Sequence, residues 1–68
     1  MIGYVARDKN GLIFLHKDKP ELDKKLEGWF SNDFFELSDE MFPELTTLTY
    51  ENSPLKVEFN IVINDNTL

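Results

Sequence analysis

The feature that most constrains the fold is the tetrapeptide Asp8-Lys9-Asn10-Gly11, set between two stretches of alternating character. Before it, Ile2, Tyr4 and Ala6 point one way along a strand while Gly3, Val5 and Arg7 point the other. After it, Leu12-Ile13-Phe14-Leu15 is the longest uninterrupted apolar run in the chain. Asp and Asn tolerate left-handed backbone and Gly adopts it without penalty, so the tetrapeptide closes a β-hairpin. Two registers compete. A turn centred on Asn10-Gly11 pairs Val5 with His16 and Arg7 with Phe14. A type I turn with Gly11 as the bulge residue pairs Arg7 with Leu12, Ala6 with Ile13, Val5 with Phe14 and Tyr4 with Leu15. The second matches apolar with apolar on both faces and is preferred.

Further along, local signals predict a helix of about two turns between Pro20 and Gly28. Glu21 and Asp23 lie at its start, and Lys24 and Lys25 near its end. Leu22 and Leu26 share a face, and Gly28 suits the C-cap. An ordered loop is the competing reading, because isolated helices shorter than about 12 residues are marginal. Trp29-Phe30 and Phe34-Phe35-Glu36-Leu37 flank Ser31-Asn32-Asp33 as a second hairpin, or as one strand with an irregular entry. Ser38 caps a single helical turn carrying Asp39 and Glu40, limited by Pro43. Leu48-Thr49-Tyr50 is strand-like. Glu51-Asn52-Ser53-Pro54 is a turn, and Lys56 to Ile63 is the most regular strand in the chain. Residues 64–68 read as a flexible tail.

The expected fold is therefore α+β and mainly antiparallel β: four to five short strands with one or two short helical turns, in one small domain over residues 1–68. The expected core is Ile2, Tyr4, Ala6, Ile13, Leu15, Leu22, Leu26, Trp29, Phe35, Leu37, Phe42, Leu45, Leu48, Val57, Phe59 and Ile61. Sixty-eight residues without a cysteine must hold this core with no disulfide and no thiolate zinc site. Stability has to come from packing, from self-association, or from both.

Seven Lys and Arg against thirteen Asp and Glu give a formal net charge of −6. The clustered cations that neutralise phosphates are missing, which argues against nucleic-acid or anionic-membrane partners. The apolar runs are far short of the roughly 20 residues of a spanning helix, and no signal-peptide pattern is present. A cytoplasmic location is the expectation.

No catalytic, cofactor or metal site is expected. His16 is the only histidine. With Asp18 and Glu21 it offers the start of a metal or acid–base site, but the preferred reading is a strand-end histidine at the solvent edge. Ser31, Ser38 and Ser53 sit in turn or cap contexts that explain them structurally. No phosphate-cradling glycine loop exists, and a domain this small offers little room for a pocket of about 300 Å³.

Two surfaces are candidates for recognition. Val5, Leu12 and Phe14 on the second face of the first hairpin, with Phe34, form an apolar patch suited to an unidentified protein partner or a homodimer. Asp33, Glu36, Asp39, Glu40, Glu44 and Glu51 form an acidic stretch with no intervening Lys or Arg. That stretch reads as a solvated face or as an acidic, DNA-mimic-like surface for a basic protein. Trp29, Phe30, Phe34, Phe35 and Phe42 are expected to supply most of the core burial, with one of Phe34 and Phe35 left exposed.

The order of short motifs adds a resemblance. Ala6-Arg7-Asp8-Lys9-Asn10-Gly11, Lys19-Pro20, Trp29, Phe34-Phe35-Glu36-Leu37, Met41-Phe42-Pro43-Glu44-Leu45 and Glu51-Asn52-Ser53-Pro54-Leu55-Lys56-Val57 follow one another along most of the chain. In this order they resemble the short acidic uncharacterised proteins of bacteriophages, prophages and gut-bacterial mobile elements. The resemblance implies a small accessory protein inside a bacterial cell and assigns no activity to any residue.

Overall fold

A computed structural model describes residues 1–40 and 42–58. The hairpin turn forms where the sequence places it. Gly11 N–H donates to Asp8 O at 2.9 Å, and Gly11 takes the left-handed φ of 95° that the bulge position requires. Asp8 N–H donates to Leu12 O at 2.8 Å, so Asp8 and not Arg7 closes the turn. β1 (Ile2–Arg7) therefore pairs with β2 (Ile13–His16) one residue away from the preferred register: Arg7 opposite Ile13, Ala6 opposite Phe14, Val5 opposite Leu15, Tyr4 opposite His16. A one-residue slip exchanges which side chains meet on a face. Val5 now shares its face with Ile13 and Leu15, while Phe14 and His16 join Tyr4 and Ala6.

The segment predicted as a helix is a small hairpin instead. β3 (Glu21–Asp23) pairs antiparallel with β4 (Gly28–Phe30). Asp23 Oδ1 accepts from the backbone N–H of Lys25 and of Leu26, both at 3.0 Å, which holds the connecting turn. Glu27, at φ 56°, takes the left-handed conformation expected of Gly28. Gly28 is needed for another reason: a Cβ there would lie 3.1 Å from the Asp8 carboxyl. That carboxylate accepts from Trp29 N–H at 2.8 Å, and Lys9 N–H donates to Glu27 O at 3.1 Å. Lys9 and Glu27 also form an ion pair. The second hairpin is thus fastened to the turn of the first. Leu22 and Leu26 remain 39% and 67% exposed, outside the core.

β5 (Phe34–Leu37) pairs with β2 and not with β4, so the Trp29 to Leu37 segment joins two sheets and is not a hairpin. β6 (Leu55–Glu58) pairs with β1. Among the described residues the main sheet is four-stranded and antiparallel, in the order β5-β2-β1-β6. The mainly antiparallel architecture is as expected, with six strands among the described residues. The helical element is a 3-10 helix, Pro43–Thr47, which begins at the proline instead of ending before it. Leu48 and Thr49 lie outside any strand.

The 3-10 helix lies on the Val5 face. Val5, Ile13, Leu45 and Leu48 form the buried cluster, with Leu15, Leu37, Phe42 and Val57 packed against it. The core is thus aliphatic. Phe30, Phe34 and Phe35, expected to supply burial, are 42%, 50% and 60% exposed, and Ile2 is 51% exposed. Phe59 and Ile61 of the expected core, the rest of the Lys56 to Ile63 strand, and the 64–68 tail lie outside the described residues.

Candidate functional site

Arg7, the only arginine in the chain, is the most connected side chain. It sits at the end of β1 on the Val5 face and reaches under the 3-10 helix. Nε donates to Leu48 O at 2.6 Å, and Nη2 donates to Leu45 O at 3.1 Å and to Asp39 Oδ1 at 2.9 Å. Nη1 donates to Gly11 O at 2.7 Å. Its backbone N–H donates to Ser53 Oγ at 2.9 Å, and that hydroxyl donates to Thr49 O at 2.6 Å. A planar, permanently charged fork satisfies the carbonyls at the end of a short helix in a way an ammonium cannot. The role is structural. Sequence reasoning did not single it out, although a lone arginine closing an otherwise apolar strand was the available signal.

His16 is only 1% exposed, so the solvent-edge reading is corrected. The register turns its side chain onto the Tyr4–Ala6 face, beneath the rings of Phe34 and Phe14 at 5.8 and 6.5 Å. Ser31 Oγ donates to Asp33 O at 3.2 Å, which leaves it to accept from His16 Nδ1–H at 2.7 Å. Nε2 is buried with no partner among the described residues. Burial pushes the imidazole below its ordinary pKa, and the charge of Asp8 opposes this. His16 is therefore a neutral structural residue. Asp18 and Glu21 are both exposed, and among the described residues no three His, Cys, Asp or Glu side chains gather as a metal site.

The four residues of the expected apolar patch are divided. Val5 is 3% exposed and belongs to the core, because the true register sends it beneath the 3-10 helix. Phe14 is half-buried and meets Phe34 edge to face at 5.5 Å. Leu12 and Phe34 remain 43% and 50% exposed. The acidic stretch is dispersed rather than assembled. Asp39 and Glu51 border a cleft with Arg7 and Lys9, Glu44 borders an apolar groove, and Asp33 borders a hollow beside His16. Glu36, opposite Phe14, points to the other face of the sheet from that groove.

The apolar groove is the surface that the sequence did not disclose. It holds about 660 Å³ of open space, more than a domain of this size was expected to offer. Leu15, Phe35, Leu37, Phe42, Leu55 and Val57 line it with Glu44, and Glu58 at its border pairs with Ile2, so its side chain points to the other face of the sheet. Beside it, β5 is an outer strand of the sheet among the described residues, with Phe34 and Phe35 exposed on opposite faces. Among the described residues no helix is long and apolar enough to cross a membrane. Compared with protein-family models, curated proteins and solved structures, the chain matches none.

Proposed function

We propose that this chain is a small non-enzymatic protein-interaction module that pairs with a second copy of itself along β5. The observation that carries the reading is the outer strand Phe34–Leu37, which presents large aromatic side chains, 50% and 60% exposed, on its two faces. An outer strand offers unpaired backbone groups in register for another strand, and flanking aromatics add apolar burial. Two-fold pairing of β5 with β5 extends the sheet sideways and shields both rings. The test is sedimentation over a concentration series from micromolar to millimolar. The native chain dimerises as concentration rises, and Phe35→Lys shifts it to monomer; a native chain that stays monomeric throughout refutes the reading.

A second reading, an acidic ligand for a basic host protein, draws on the charge. Of the six acidic residues, Asp39 alone is in an ion pair among the described residues. Their dispersal supports separate contacts with a basic surface rather than imitation of a phosphate array. Salt-sensitive recovery of a basic protein on the immobilised chain supports this; recovery of salt-indifferent partners alone opposes it. Under either reading the chain acts by contact, without cofactor, nucleic acid or membrane. The acidic, cysteine-free composition supports a cytoplasmic site of action. The resemblance in motif order supports an accessory role of phage or mobile-element type.

A further inference from the structure

We propose that Asn10-Gly11 is a site of intramolecular deamidation, kept latent by the first turn, and that its reaction loosens that turn. The site is separate from the surfaces of the interaction readings, since neither β5 nor the groove takes part.

Asn10 is the only asparagine followed by glycine, and both residues are exposed. Glycine has no side chain to hinder attack by its own nitrogen. No atom lies within 4 Å of where a Cβ would stand at Gly11, so water reaches the site freely. Asn10 Oδ1 accepts from Leu12 N–H at 3.0 Å, a bond that spans the Gly11 peptide and polarises the carboxamide carbonyl. The electrophile is thus prepared, but the nucleophile is locked. Gly11 N–H donates to Asp8 O at 2.9 Å, and a resonance-stabilised amide nitrogen attacks only after losing that proton. Opening of the turn is therefore the gate. Two contacts with the β3-β4 hairpin hold it shut: Lys9 N–H to Glu27 O at 3.1 Å and Trp29 N–H to the Asp8 carboxylate at 2.8 Å.

In the open turn Gly11 N gives up its proton, and its electron pair forms a bond to Asn10 Cγ. The Cγ–Nδ2 bond breaks, and the amide nitrogen leaves with a proton as ammonia. Water then opens the cyclic imide at either carbonyl, giving aspartate or isoaspartate at position 10. Both products carry one negative charge beyond the −6 of the parent chain. Isoaspartate also routes the backbone through the former side chain, which inserts a methylene just before Gly11. The lengthened turn withdraws Gly11 O from Arg7 Nη1, which it meets at 2.7 Å in the parent.

The experiment ages the full chain in mildly alkaline buffer, with and without urea, and follows each asparagine by peptide mapping and mass spectrometry. Amide hydrogen exchange of Gly11 is read on the same samples, because exchange and attack both require that N–H to be freed. Asn10 reacts first in urea. In the folded chain it reacts at least about tenfold more slowly, and the suppression matches the exchange protection of Gly11 to within about threefold. Gly28→Ala, which crowds the Asp8 carboxylate, lowers the protection and raises the folded rate together, while its rate in urea is that of the parent. Leu26→Ala, at an exposed position, behaves as the parent throughout. The isoaspartyl fraction, isolated by chromatography, unfolds at lower urea than the parent. Four results overturn the proposal: another asparagine reacting before Asn10 in urea, a folded rate equal to the rate in urea, a folded rate that does not follow Gly11 protection across the three chains, or an isoaspartyl chain as stable as the parent.

Discussion

Replacing Arg7 tests whether one side chain holds the 3-10 helix on the sheet. Arg7→Met keeps most of the apolar stem and removes the fork. The two contacts that matter are part-buried: Nε to Leu48 O at 2.6 Å and Nη2 to Leu45 O at 3.1 Å. Hydrogen bonds from a charged donor contribute about 1.5–3 kcal/mol each. The lower end is appropriate here, because water can reach part of the site once the guanidinium is gone. The pair then contributes about 3 kcal/mol. The Asp39 contact adds less than about 1 kcal/mol, since its side chain is 49% exposed. At roughly 0.05–0.15 kcal/mol per residue, a domain of this length has a total stability of only about 3–10 kcal/mol. Arg7→Met therefore removes between a third and all of it, and lowers Tm by roughly 12–24 °C. Arg7→Lys preserves the charge but reaches at most one carbonyl, and recovers less than half of the loss. Asp39→Asn costs less than about 1 kcal/mol. The assay is urea unfolding followed by the fluorescence of Trp29, the only tryptophan, half-buried against Tyr50. An Arg7→Met variant within about 0.5 kcal/mol of the parent refutes the reasoning. So does an Asp39→Asn variant as damaged as Arg7→Met.

Three further outcomes are expected. His16 binds its proton less readily folded than unfolded, so the unfolded chain takes up more protons as pH falls below about 6.5. The stabilisation is complete above that pH and is lost on acidification towards the lowered folded value, with a slope of at most about 1.4 kcal/mol per pH unit. In His16→Gln this component of the pH dependence of urea midpoints vanishes; an unchanged profile places the titrating group elsewhere. Gly28→Ala costs about 1–3 kcal/mol, because its methyl meets the Asp8 carboxyl that holds Trp29 N–H. In an Asp8→Ala background the penalty shrinks, and a double-mutant cycle with no coupling contradicts the contact. Ile13→Ala, at a position 2% exposed, costs about 2–5 kcal/mol, while Leu26→Ala, at 67% exposure, changes stability by less than about 0.5 kcal/mol. Equal losses in the two melts would restore Leu26 to the core.

The sequence disclosed what local chemistry decides. Gly11 had to be the left-handed residue of the first turn, and the alternation of β1 follows from its apolar pattern. The errors arose where distant residues decide. Pro20, the Glu21–Lys25 pair and the Leu22–Leu26 stripe all favour a helix, but among the described residues nothing buries that stripe. The hairpin that forms instead contributes Glu27 O and Trp29 N–H to the turn of β1 and β2, partners more than fifteen residues away in the chain. The six acidic residues are neighbours in sequence, yet a strand, a turn and a 3-10 helix aim them at different surfaces. The aromatic residues were given the core because they are large. The aliphatic side chains of β1, β2 and the 3-10 helix took it because the 3-10 helix covers the sheet face they share.

The groove follows from the same register by simple geometry. Pairing Arg7 with Ile13 gathers Val5, Ile13 and Leu15 on one face of the sheet and requires a cover for it. The cover is a five-residue 3-10 helix, about 10 Å long at roughly 2 Å per residue. β1, six residues at about 3.3 Å each, runs for about 20 Å beneath it. Arg7 fixes the helix at its own end of the strand, so Leu45 and Leu48 bury Val5 and Ile13. Beyond Val5 the strand offers that face only Gly3, opposite Val57, and among the described residues the apolar surface of Leu15, Phe35 and Val57 continues without a lid. A short cover held at one end of a longer sheet leaves an apolar trough at the other, and the contact that secures the fold is also the one that fixes where the open surface lies.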